Sequence, residues 1–286
     1  MTRPGWRASL LAAAMILAAG CGSQHGQAAA APSPAPLPSL AISVGSATTS
    51  WATLEMGGSA SQHNNFWQLF VRPATSARWG LVTPPGMATN GGFLLAGPAG
   101  RSITAAFRPS QYITYSPLTS TVDDGAHWAT GQAAAGLADV PDALAAGPGA
   151  GTLIGLVPGA VELSRSAGSG WTRLATQRSL AAAAPGRACQ LTGFTAAAFS
   201  PAGAPLVAGS CARDGVAGIF SYTGSAWQAA GPALPASLAS QPVTVLRLST
   251  TAGYETALLA VGSKASATVL AAWTRSGSGR WALSPS

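Results

Sequence analysis

Charge is what this chain has least of. Asp, Glu, Lys and Arg make up 8% of its 286 residues, with eight acids and one lysine, Lys264. Solvent-facing helices carry a polar stripe, so this scarcity argues against long exposed helices despite the abundant alanine. The arginines are scattered singly. Nucleic-acid binding needs a clustered basic stripe, so no nucleic-acid partner is expected. Histidine and cysteine number three each, which leaves little for a metal site. The sequence holds no HExxH, no GxSxG elbow and no phosphate loop. No metal and no cofactor are expected. What the chain does have is 35 Gly and 21 Pro, a composition of short strands joined by turns.

The N-terminus reads as an export signal over residues 1–20. Arg3 and Arg7 precede an uncharged run, Ala8–Ala19, and small residues follow. That run is shorter than the roughly 20 residues of a membrane span, and no twin-arginine pair is present. Leu17-Ala18-Ala19-Gly20-Cys21 resembles a bacterial lipobox, although the usual Leu three places before the cysteine is Ala18 here. The resemblance implies that Cys21 is fatty-acylated and becomes the first mature residue. An ordinary secreted chain cleaved nearby is the alternative. Residues 21–39 are rich in Ala, Pro, Gln and Ser without apolar period, and read as a disordered tether. The expected address is the outer face of a bacterial cell membrane, held by lipid. The mature chain keeps 13 basic against 8 acidic side chains, a net charge of +5.

Residues 40–286 are long enough for one large domain. Within it Cys189 and Cys211 form an expected disulfide, since export leads to an oxidising compartment. It would close a loop of about 21 residues, contributing roughly 3 kcal/mol. Two free buried thiols are the alternative.

A repeat runs through the domain. Trp79, Trp128, Trp171, Trp227 and Trp281 fall 43 to 56 residues apart, and a four-stranded propeller blade takes about 40–50. The last unit sketches as Val243–Ser249, Ala257–Gly262, Ala267–Thr274 and Arg280–Leu283. The one before it sketches as Thr195–Phe199, Pro205–Gly209, Ala217–Tyr222 and Ala226–Ala230. Earlier units supply Leu54–Gly58, Phe66–Val71, Ser102–Phe107, Tyr112–Ser116, Ala143–Gly147, Thr152–Val157 and Val161–Ser164. The expected fold is all-β, a β-propeller of about five four-stranded blades. A β-sandwich or open β-solenoid is the alternative. The similarity of Phe199-Ser200-Pro201 to Phe107-Arg108-Pro109 leaves the unit boundaries open by one strand.

Thr121-Val122-Asp123-Asp124-Gly125-Ala126-His127-Trp128 fits the pattern S/T-x-D-x-G-x-x-W. It resembles the Asp box of sialidase-like β-propellers, and Ser164–Trp171 is a degenerate copy. In this turn Thr121, Asp123, Gly125 and Trp128 are structural residues. Asp123 is expected to bond backbone N–H groups two residues on, Gly125 to supply a backbone angle others resist, and Trp128 to pack between blades.

The resemblance does not bring a sialidase site with it. Asp123 and Asp124 belong to the turn, leaving Glu55, Asp139, Asp142, Glu162, Asp214 and Glu255. Glycoside hydrolysis needs two close carboxylates or a carboxylate with Tyr, and adjacent Tyr254 and Glu255 would face opposite sides of a strand. Arg72, Arg165 and Arg275 sit at matching places before the turns and read as surface residues, not as a carboxylate-binding triad. His63 is the one histidine outside tether and turn. No catalytic residue is therefore assigned. The expected function is a monomeric, non-catalytic binding or scaffolding module for an envelope protein or glycan. Trp51, Trp67, Phe66, Tyr112 and Tyr254 are its candidate stacking platforms. A sialidase-like glycoside hydrolase and an assembly factor for a membrane complex are the alternatives.

Overall fold

The computed structural model describes residues 40–43, 49–57, 65–84, 93–97, 101–107, 117–129, 132–133, 143–148, 152–164, 170–251, 253–263, 266–275, 278 and 280–284. The export signal, Cys21 and the tether lie outside the described residues, as do His63, Tyr112, Arg165 and the expected strand Tyr112–Ser116.

Among the described residues, twenty strands form five sheets of four. Blade I holds β1 (Leu40–Ser43), β2 (Ser50–Gly57), β3 (Asn65–Arg72) and β4 (Gly80–Leu81). Blade II holds β5 (Phe93–Ala96), β6 (Ile103–Phe107), β7 (Pro117–Thr121) and β8 (Gln132–Ala133). Blade III holds β9 (Ala143–Ala146), β10 (Leu153–Val157), β11 (Ala160–Ser164) and β12 (Thr172–Thr176). Blade IV holds β13 (Leu191–Phe199), β14 (Pro205–Cys211), β15 (Gly218–Tyr222) and β16 (Trp227–Ala229). Blade V holds β17 (Val243–Thr251), β18 (Tyr254–Val261), β19 (Thr268–Arg275) and β20 (Trp281–Leu283).

Every sheet keeps its strands in chain order, so each is an antiparallel meander. Turn chemistry fixes the reversals. In β10–β11 the partners Val157 and Ala160 enclose only Pro158 and Gly159. Proline presets its own φ, and Gly159 takes φ 71°, which a β-carbon resists.

The core lies between blades. Ala196, Leu206 and Ile219 of blade IV meet Val245, Leu259 and Leu270 of blade V. Trp51, Leu69 and Val71 of blade I meet Ile103 and Ala105 of blade II. Ile154, Leu156 and Val161 of blade III meet Phe199 and Val207 of blade IV. Sheets that bury side chains on both faces lose the polar alternation of one-sided sheets, which is why the strands read as short apolar runs. The chain is thus an all-β protein, a β-propeller with five four-stranded blades among the described residues. The similarity of Phe107 to Phe199 was misleading about register: Phe107 ends a second strand and Phe199 a first.

One departure from the expected pattern stands between β12 and β13. Residues there form α1 (Gln177–Ala182) and α2 (Ala184–Cys189). Thr176 caps α1, its hydroxyl accepting the Ser179 N–H at 3.0 Å, while the Ser179 hydroxyl accepts the Thr176 N–H at 2.9 Å. The helices lack a charged face and are anchored by fully buried Leu180 against Ala175, Leu191 and Phe220. A Cys189–Cys211 disulfide, Cα atoms 5.0 Å apart, joins α2 to the end of β14.

Candidate functional site

The turn at Thr121–Trp128 joins β7 to β8 and is held by a compact network. The Thr121 hydroxyl, almost wholly buried, donates to Asp123 Oδ1 at 2.8 Å and accepts the Gly125 N–H at 3.1 Å. Asp123 Oδ1 accepts the His127 N–H at 3.0 Å, and Oδ2 lies 2.6 Å from His127 Nδ1. The carboxylate therefore reaches four residues on, not two. Asp124 and Gly125 both take positive φ, 60° and 82°, and the curl carries the His127 N–H onto the carboxylate while Thr121 takes Gly125's. The backbone N–H of His127, then its ring, then the Thr121 hydroxyl hold the Asp123 carboxyl well below the usual carboxylate range. Asp124 pairs with Arg101 at 2.8 Å. A β-carbon on Gly125 would stand 2.7 Å from Val82, so this turn is pressed against blade I.

Trp128 completes that contact. Its indole N–H donates to the Val82 carbonyl at 3.0 Å, just past β4, and its ring meets Trp51 edge-on at 6.4 Å. The same arrangement recurs in blade V. Trp281 donates to the Ala230 carbonyl at 2.8 Å, just past β16. Trp171 packs on the cluster that Ala106 of blade II forms with Leu144 and Leu153 of its own blade, and Trp227 on the cluster shared by blades III and IV. Trp128 and Trp281 thus reach back to the blade before their own, while Trp171 and Trp227 sit in clusters shared by two blades. Trp79 in blade I differs. It is 47% exposed, and the group over its ring is Arg72 of its own blade, 5.6 Å from the centroid.

Among the described residues, blade V also presents an exposed surface. The inner face of blade V buries Val245, Leu248, Ala257, Leu259 and Ala272 against blade IV. Its second face is assembled by register. Arg247, Leu258 and Ala271 form one row, Ser249, Thr256 and Trp273 the next, and Thr251, Tyr254 and Arg275 a third. A bulge between Val245 and Arg247 puts Arg247 in its row and leaves Leu246 exposed. Leu258, Trp273 and Tyr254 are 41%, 37% and 45% exposed. Arg247, Ser249, Thr256, Leu258, Ala271 and Trp273 line a groove of about 320 Å³, at the lower end of the range of small-ligand clefts, about 300–1,000 Å³. The Ser249 and Thr256 hydroxyls bond each other at 2.5 Å on its floor.

Of the expected stacking residues, Tyr254 stands on this face. Trp51 does not fit the expectation: it is fully buried between blades I and II, because its place on the second strand, β2, sets it against Trp128. Trp67 packs on the same core, and Phe66 is 43% exposed on blade I. Trp273 and Arg247 were not singled out from sequence. Their common face depends on the bulge and on pairing register, which no local pattern announces.

The described carboxylates stand apart from the groove. Glu162 is buried against Arg173 at 2.8 Å. Glu255 lies in the row between Tyr254 and Thr256, on the opposite face from both, and burial pushes its carboxyl up. Asp214 is exposed in the β14–β15 connection. Among the described residues no group of three His, Cys, Asp or Glu could hold a metal ion.

No protein-family model and no curated protein sequence matches the chain. Solved structures similar to it include a PL25 ulvan lyase (13% identity, TM-score 0.47, 86% of this chain and 69% of that one). YCF48 bound to D1 peptide is another (14%, 0.46, 89% and 70%). A third is the six-bladed β-propeller lectin of Aleuria aurantia (13%, 0.44, 87% and 78%). These proteins differ in function from one another, and likeness of this size carries none of those functions to this chain.

Proposed function

We propose that the chain is a non-catalytic binding or scaffolding module, monomeric, exported and held at the outer face of a bacterial cell membrane by lipid on Cys21. Residues 21–39 act as the tether. The observation that supports binding is the open face of blade V. An aromatic and apolar surface of this kind, rimmed by arginines, is uncommon on a protein that meets only water. A propeller scaffold holds it rigid, and function on such scaffolds is carried by surfaces, not by the fold.

Two experiments test the two parts. A photo-reactive residue at Leu258, introduced in living cells, should capture a specific envelope component. The same residue at Val122, 74% exposed on the Asp123 turn, should not. Equal capture at both sites, or none at Leu258, rejects the face as a binding surface. Fatty-acid labelling should be lost in Cys21→Ala, and equal labelling of the variant rejects the anchor.

A further inference from the structure

We infer that the ligand of the blade V face is a carboxylated glycan, a chain of acid-bearing sugars laid across β17, β18 and β19. The inference rests on the reading of this face as a binding surface, and specifies what it binds. Three features carry it.

The first is charge. Arg247 and Arg275 stand at opposite corners of the face, and no acidic residue occupies the three rows between and around them. In a chain with only 8% charged residues, two guanidinium groups without an ion pair among the described residues, on one apolar surface, favour an anion. Neither has a carboxylate partner among the described ion pairs. Guanidinium forks match carboxylates by two parallel hydrogen bonds.

The second is distance. Arg247 and Arg275 lie two strands apart and four residues apart along β18, so their Cα atoms are roughly 16 Å from each other by strand spacing and rise. One small anion does not reach both. A polymer with repeated acid groups does.

The third is the floor between them. Trp273 and Tyr254 supply aromatic surface, and Ser249 and Thr256 supply hydroxyls beside the small side chain of Ala271. An aromatic and hydroxyl-bearing trough suits flat rings that are apolar on one side and polar at the edge.

The test is a binding titration of the full chain with short polygalacturonate chains, set against neutral dextran and polyglutamate. Polygalacturonate should bind at least ~10-fold more tightly than either comparator, with affinity falling as salt rises. Trp273→Ala should weaken it ~10-fold. Arg247→Gln and Arg275→Gln replace exposed side chains, so they should fold normally, weaken binding and flatten its salt dependence. Equal binding of dextran overturns the inference, and so does unchanged affinity in both arginine variants. Equal or tighter binding of polyglutamate replaces it with an acidic polypeptide. If polygalacturonate fails while Leu258 still captures an envelope component, the glycan is wrong and the binding module stands.

Discussion

Two turns in this propeller do the same work by different means. In blade II, Thr121 bonds the Asp123 carboxylate and the Gly125 N–H. In blade V, Thr274 occupies the matching place at the end of the third strand, equally buried, and no carboxylate follows it. Its hydroxyl donates to the Arg280 carbonyl at 2.7 Å and meets the Ser278 hydroxyl at 3.1 Å. Both turns then deliver a tryptophan whose N–H bonds a carbonyl just past the last strand of the preceding blade. The parts shared by the two are the buried threonine and the tryptophan. The aspartate, which defines the motif in sequence, is the part the fold replaces.

This comparison ranks the effects of substitution. The largest should come from the tryptophans. Trp281→Ala opens a space between blades IV and V and should cost about 3 kcal/mol or more in chemical denaturation. Trp79→Ala, at an exposed site, should cost well under about 1 kcal/mol. Equal losses would show that the backward lean onto a neighbouring blade contributes nothing. The threonines come next. Thr121→Val and Thr274→Val remove buried hydroxyls that hold their turns and should each cost about 1–3 kcal/mol. If only Thr121→Val is costly, the carboxylate turn is the stronger device and the two are not equivalent.

The smallest effect belongs to Asp123, and it depends on pH. Its carboxyl is held below the usual range in the folded chain. The stability it contributes is therefore present above the unfolded value, about 4, and is lost as pH falls below that. Asp123→Asn should flatten the acid limb of stability between roughly pH 4 and 2, read by thermal melts across that range. An unchanged limb would place the acid sensitivity elsewhere.

Much of the fold was legible. The sketched strands of blades IV and V lie within a few residues of β13–β20, because Gly, Pro and Ser punctuate short β-rich runs there. The closing tryptophans marked the repeat correctly. The α1–α2 pair was missed because its anchor is one buried leucine and a cap, with no amphipathic charge pattern to read. The blade V face was missed for a different reason. Thr268–Arg275 is apolar on both sides of its strand, so its sequence does not say which side faces a neighbour. Trp51 and Trp273 have the same chemistry in sequence. Their exposures, 0% and 37%, are decided by which blade stands opposite.

The backward reach of the tryptophans also sets an order of assembly. Roof tiles are laid so that each new course holds down the one beneath. Here blade I is fastened by Trp128 of blade II and blade IV by Trp281 of blade V. In a chain made from its N-terminus, each of these two blades waits on its successor for that bond. Blade V is the last of the described blades, and the surface it leaves exposed is the one that carries Arg247, Leu258 and Trp273.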